Sequence, residues 1–196
     1  MLYKISHYIQ DNIPFLWEMV EWFNSFLFCI RYGNRMERID AVLNQYSGEY
    51  TIRQAKDGDV DGMVKFFAEQ PEQSFEFFTP HAFDAKTIKK LIRRKSHLSF
   101  LILDGDKIIG YYFLRCFFIG KSFLGKMVDY RYRGRGVGKT MCMSAMDVAM
   151  ALGLRMFETI SRDNLASLYS TQKVLDVTII EEMDNGYFYI EDRKKK

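Results

Sequence analysis

Tyr130-Arg131-Tyr132-Arg133-Gly134-Arg135-Gly136-Val137-Gly138-Lys139-Thr140 is the stretch on which the reading of this chain turns. It follows a strand-like run, Ser122 to Asp129, and opens a helix-like run that ends at Leu152-Gly153. Glycines at alternate positions let the backbone turn tightly and come close to a ligand. Successive N–H groups at a helix N-terminus attract an anion, above all a pyrophosphate. Arg131, Arg133, Arg135 and Lys139 add positive charge at the same place. The plainer alternative is a turn with helix-capping glycines, which gives the four basic residues nothing to do.

Two phosphate motifs are excluded by spacing. A P-loop, G-x-x-x-x-G-K-[ST], ends as Gly138-Lys139-Thr140 does, but its first glycine falls on Arg133. Tyr130-Arg131-Tyr132 is also a poor end for the buried strand that feeds such a loop, and no later apolar strand ends in an aspartate suited to magnesium. The dinucleotide spacing G-x-G-x-x-G fails too, because its third glycine falls on Lys139 or Met141.

Working outward, residues 49–190 read as one mixed α/β domain. Tyr50 to Arg53 is a short strand, and a helix starts after Asp57-Gly58-Asp59. Pro71 to Phe83 is an irregular, aromatic-rich, substrate-facing loop. Asp84 caps a helix that reaches Lys95. Leu98–Leu103 and Lys107–Phe118 are strands joined by a hairpin turn at Asp104-Gly105-Asp106. Beyond the glycine-rich turn come a strand at Met156–Ile160, a helix at Asn164–Lys173, and a last hairpin, Val177–Glu181 with Tyr187–Ile190.

Composition narrows the class. The chain has 196 residues, 48% hydrophobic and 27% charged, which suits a packed domain and not a disordered chain. The net charge is +3, and it drops to −1 without the four basic residues at the end, Arg193 to Lys196. The fold itself therefore lacks the basic face of a nucleic-acid binder. Residues 191–196 read as a basic, solvated tail. Cys29, Cys116 and Cys142 are far apart, and with His7, His81 and His97 they form no metal-ligand spacing. Unpaired thiols and the lack of a secretory signal point to the cytoplasm.

The segment Arg133-Gly134-Arg135-Gly136-Val137-Gly138 resembles the Q/R-x-x-G-x-G/A signature of the GNAT family of N-acetyltransferases. Val128-Asp129-Tyr130-Arg131-Tyr132-Arg133-Gly134 is similar to the family's approach to that loop, with Tyr130 where proline is common. Tyr50-Thr51-Ile52-Arg53 and Ile160-Ser161-Arg162-Asp163-Asn164-Leu165-Ala166-Ser167 extend the resemblance over about residues 49–190. It implies a mostly antiparallel central sheet flanked by helices, with acetyl-CoA as co-substrate and no metal. It also implies that Met127, Val128 and Asp129 pair with pantetheine through backbone groups. Arg133, Gly134, Arg135, Gly136, Val137, Gly138, Lys139 and Thr140 would hold the pyrophosphate, and Asn164 would touch the pantetheine arm. The family's usual acid, a tyrosine seven residues after the asparagine, is replaced by Thr171. Tyr169 is the nearest tyrosine, and Asp129 and Glu158 are the carboxylates available as a base.

Three functions follow: an N-acetyltransferase acting on a small amine such as an amino sugar, a non-catalytic acyl-CoA-binding module, and a nucleotide-binding protein, the last disfavoured by the loop spacing. Residues 1–46 stand apart as an aromatic-rich helical extension. Glu18, Glu21 and Asn24 share one face of it, and most other positions are apolar. It is expected to pack on its own domain or bridge a homodimer, with membrane-surface contact as the alternative.

Overall fold

The computed structural model describes residues 14–195. The part of the extension before Pro14 lies outside the described residues. Seven strands form one sheet: β1 (Thr51–Gln54), β2 (His97–Asp104), β3 (Lys107–Phe117), β4 (Lys121–Val128), β5 (Arg155–Ser161), β6 (Leu175–Glu182) and β7 (Tyr187–Lys194), in the order β1-β2-β3-β4-β5-β7-β6. Every neighbouring pair is antiparallel except β4 and β5. Among the described residues, six α-helices flank it: α1 (Pro14–Tyr32), α2 (Arg38–Asn44), α3 (Val60–Ala68), α4 (Ala85–Arg93), α5 (Val137–Leu152) and α6 (Leu165–Gln172). This is the expected α/β architecture with a mostly antiparallel sheet.

Both faces of the sheet centre are covered, so β2 is buried at seven of its eight positions and reads as a continuous apolar run rather than an alternating one. One core joins α1, α2 and α5 to the sheet through Phe28, Ile39, Leu43, Phe100, Tyr112 and Ala145. The other joins α3 and α4 through Met63, Phe67, Ile88, Tyr111 and Met127. Gly110 in β3 leaves room for Met141 and Val137, which seats the first turns of α5 on the sheet. Asp84 caps α4 by accepting from the Thr87 N–H. Gly153, at φ 78°, ends α5.

The largest shift of a boundary from the sequence reading is at the last strand. The last strand runs to Lys194, past the expected end at Ile190, and Glu191 and Asp192 are buried in it. Arg193 and Lys194 pair there with Asp176 and Leu175 of β6, and Lys194 Nζ also reaches Asp147 at 2.7 Å. Strand hydrogen bonding therefore overrides the solvated tail read from charge. The described part of the extension packs on the domain. Phe28 and Tyr32 of α1 and Ile39 and Leu43 of α2 belong to the same core as α5.

The face of α1 that packs is polar at Glu21 and Asn24 and aromatic further on, at Phe28 and Tyr32. Glu21 and Asn24 are buried, whereas Phe15, Met19, Trp22, Phe23, Phe26 and Ile30 are exposed. The reason is local. Asn24 Nδ2 donates to the Cys116 carbonyl at 2.9 Å, and its Oδ1 accepts from the Phe118 N–H at 3.1 Å. Glu21 pairs with Arg94 and Arg115, and Glu18 with Arg94. Asn24 thus satisfies the backbone where β3 leaves its ladder, so Asn24→Ala strips two buried partners at once. It is expected to cost about 2 kcal/mol, read as a lower urea midpoint at an unchanged slope.

Candidate active site

β4 and β5 pair through only three residues, Lys121↔Arg155, Ser122↔Met156 and Phe123↔Phe157. Beyond Phe123 they diverge, and the β4 edge from Leu124 to Val128 has no strand beside it. Backbone groups on that edge are free to bond a ligand laid along it. The fork opens into a cleft of about 930 Å³, lined by Leu124 to Val128 on one side and Glu158 to Ser161 on the other. That size falls within the range of small-molecule and cofactor sites.

The glycine-rich turn closes the open end of the fork. Gly134 and Gly136 have φ of 78° and 86°, a left-handed backbone that side chains rarely adopt. Gly136 is the N-cap of α5 and offers no side chain to the free N–H groups of the first helical turn. The turn that carries those groups lines the cleft at Gly136, Gly138 and Lys139. Gly138 is helical, and a Cβ there would stand 3.7 Å from Val128, an ordinary contact. Its value is the close approach it grants a ligand, not its backbone angle.

Of the predicted binding residues, Met127, Val128, Arg133, Gly134, Gly136, Gly138, Lys139 and Asn164 line the cleft. Asp129, Arg135, Val137 and Thr140 do not, and the Asp129 N–H, expected to pair with pantetheine, donates instead to the Ile109 carbonyl at 2.9 Å. Arg135 lies over the Tyr132 ring at 4.9 Å. Val137 points into the core, and Thr140 Oγ1 turns back to the Gly136 carbonyl. Val137 is thus available to a ligand only through its N–H group, and the Thr140 N–H is taken up as well, by the Gly136 carbonyl at 3.1 Å. Asn164 caps α6 by accepting from the Ser167 N–H at 3.1 Å, which fixes its side chain at the cleft rim.

The weak catalytic candidates separate. Asp129 is fully buried and does not line the cleft. Its carboxylate accepts from the Arg131 N–H, Nε and guanidinium, with Lys107 beside it. Burial alone would raise its pKa, but the Arg131 hydrogen bonds and charge bring it below the ordinary value. It is therefore a poor base and serves to brace the loop. Glu158 and Tyr169 do line the cleft, Glu158 buried and Tyr169 exposed on the rim.

Sequence reading passed over Lys126, and it named Thr171 only as the residue in place of the acid and one wall of the cleft only as a substrate-facing loop. Lys126 Nζ donates to Glu158 Oε2 at 2.6 Å and to Thr171 Oγ1 at 3.2 Å. A lysine in the middle of a strand at this depth was the available signal. The wall is made by Gln73, Ser74, Glu76, Phe77 and Phe78 of the expected substrate-facing loop, and Arg133 ties the loop down by donating to Ser74 Oγ at 2.8 Å. Among the described residues, no group of three or more His, Cys, Asp or Glu side chains is placed to hold a metal ion.

Residues 63–173 match the family model described as Acetyltransferase (GNAT) family. The chain belongs to the GNAT acetyltransferase family. Several solved acetyltransferases share its fold. The GNAT domain of PAT from S. lividans is 15% identical, with a TM-score of 0.64 over 72% of this chain and 89% of that one. The PaiA N-acetyltransferase from Thermoplasma acidophilum, solved in complex with coenzyme A, is 15% identical, with a TM-score of 0.62 over 76% and 100%. The ribosomal-protein-S5-alanine acetyltransferase from Vibrio fischeri is 15% identical, with a TM-score of 0.64 over 76% and 94%. No curated protein sequence matches the acetyltransferase. At these identities the likeness concerns the fold, and the site must be argued from its own residues.

Proposed function

We propose that this protein is an acetyl-CoA-dependent N-acetyltransferase that acts on a primary amine of a small molecule such as an amino sugar. The observation that carries the reading is the fork that runs from the glycine-rich turn down to Phe123 and Phe157. Pyrophosphate oxygens fit the free N–H groups at the start of α5, beside Arg133 and Lys139. The pantetheine amides find the unpaired edge of β4 at Met127 and Val128, and the thioester then lies toward the vertex. A backbone N–H of the same unpaired edge of β4, between Met127 and the vertex, is suited to the oxyanion that forms on attack.

The acceptor approaches from the loop side of the sheet. Side chains alternate along β4, so Gly125 and Met127 face α3 and the loop, whereas Leu124 and Lys126 face α5. On the loop side, Glu76 offers one carboxylate between the Phe77 and Phe78 rings and Ser74. That wall suits a small, partly apolar amine. Structural neighbours act on diverse acceptors, named as spermidine, phosphinothricin and a ribosomal protein, so the fold does not choose among them. The three free cysteines favour a reducing cytoplasm. The outward apolar face of α1 is assigned to a second copy of the chain.

Calorimetric titration with acetyl-CoA, and with ATP as control, tests the binding half. Acetyl-CoA is expected to bind and ATP is not. Release of free thiol across a panel of small amines tests the transfer half. Thr171, where the family's tyrosine is expected, favours a second reading as a non-catalytic acyl-CoA-binding module. Tight acetyl-CoA binding with no amine-dependent thiol release would select it.

A further inference from the structure

The floor of the cleft holds a buried charge cluster. Lys126 projects from β4 three residues past the last pair of the fork, about 10 Å from its vertex at strand rise. Its side chain is 10% exposed and its ammonium lines the cleft. Four groups face it: Glu158 on β5, Asp192 on β7, Thr171 on α6, and Cys142 on α5, whose Sγ lies 3.7 Å from Thr171 Oγ1. Glu158 Oε1 and both Asp192 carboxyl oxygens are buried without a hydrogen-bond partner among the described residues.

The balance of charge leaves Lys126 available. An ammonium has three donors, and Glu158 and Thr171 occupy two. Burial, with the negative charge of Glu158 next, lifts Asp192 to about 8, so that carboxyl is mostly neutral at pH 7. Burial pushes the Cys142 thiol up as well. Burial opposes the charge on Lys126, and the Glu158 carboxylate, which accepts from its Nζ at 2.6 Å, outweighs it and holds the ammonium protonated. Lys126 also occupies the helix side of the fork, opposite the loop wall assigned to the acceptor.

We propose that the Lys126 ammonium receives the coenzyme A thiolate as it leaves, supplying the charge that Thr171 cannot. This rests on the acetyl-CoA reading above. The amine nitrogen attacks the thioester carbon from the loop side. A C–N bond forms, the C–S bond breaks, and its electron pair stays on sulfur, paired with Lys126. The proton lost by the amine goes to water. Glu158 is then a positioning residue that holds the ammonium at the fork, not the base.

The test is the pKa of the coenzyme A thiol when bound, read from thiolate ultraviolet absorbance as a difference from the free protein. Free thiols titrate near 8.5. In the parent protein the bound thiol is expected at least about one unit lower, since one unit is about 1.4 kcal/mol of ion pairing. Lys126→Met should return it to the free value and lower kcat at least about tenfold, with KM for acetyl-CoA nearly unchanged. Lys126→Arg should keep the low value. If Lys126→Met does not fold, Lys126→Met/Glu158→Gln removes both charges together and replaces it. A bound thiol that titrates at or above the free value in the parent overturns the proposal, and so does a low value that persists in folded Lys126→Met or in Lys126→Met/Glu158→Gln. Coenzyme A that fails to bind the parent in calorimetry overturns the acetyl-CoA reading itself, and the proposal with it.

Discussion

Gly136→Val is expected to lower the affinity for acetyl-CoA at least about 100-fold while the protein stays folded. The φ of 86° at Gly136 is one that a β-branched residue resists, and holding it there costs on the order of 1–3 kcal/mol. No atom lies within 4 Å of a Cβ built at Gly136, so the penalty is conformational and not a clash. The backbone relieves it by rotating toward negative φ, which turns the N–H groups of the first helical turn away from the cleft. Binding suffers far more than folding, because α5 is held by Met141, Ala145 and Val148 in the core, well below the turn. Calorimetry gives the affinity and circular dichroism the fold. Gly138→Ala provides the contrast, since its backbone is helical and its Cβ has room. It should fold as the parent does and weaken binding less than Gly136→Val. Equal, near-parent affinities in both variants would refute the phosphate role of this turn.

Acid should weaken the protein through His97. The ring is buried, stacked on Phe113 at 4.7 Å, and close to His81 and Ser99. Burial, followed by the charges of His81, Arg115 and Arg94, pulls its pKa down to about 3. The unfolded chain takes up a proton at His97 near pH 6.5. As pH falls from 6.5 toward 3, the unfolded state therefore gains a proton that the folded state refuses. The stability lost over that window is on the order of 4 kcal/mol. Asp192 works in the opposite sense. Its folded pKa of about 8 exceeds the ordinary 3.8, so its contribution is full below 3.8 and is lost as pH rises through 8. The two partly cancel between pH 4 and 6.5, and the parent's own stability profile is flatter than either. Comparison with His97→Phe isolates the histidine. The difference in urea unfolding free energy between the two proteins should change by several kcal/mol between pH 7 and pH 4, with the variant gaining on the parent. A difference that does not vary with pH would show that His97 titrates normally in the fold.

The glycine-rich turn was legible in the sequence because its chemistry is local: spacing, charge and a helix start are all written in consecutive residues. The order of strands followed from runs such as Leu98–Leu103, whose apolar character matches a strand covered on both faces. What escaped was non-local. The cluster of Lys126, Glu158, Thr171 and Asp192 draws on β4, β5, α6 and β7, and no spacing links the four. Asp129 looked like a base because it follows a strand at the right place, yet Arg131, two residues on, takes up its carboxylate. The amphipathic pattern of α1 identified its polar stripe but not that this stripe turns inward. Glu21 and Asn24 have buried partners in Arg94, Arg115, Cys116 and Phe118 that only the folded chain brings near.

The three-residue seam between β4 and β5 also governs how the molecule opens. It divides the sheet into β1–β4 and β5–β7, each with a long ladder of its own. Beyond the seam, the halves are joined mainly through α5, which packs on both. Such halves are natural cooperative units for amide hydrogen exchange. A molecule lying along the fork touches both and is a strap across the seam. It stabilises only states in which the halves are together. Exchange should therefore slow in β7 as well as in β4, although β7 borders the cleft only through β5.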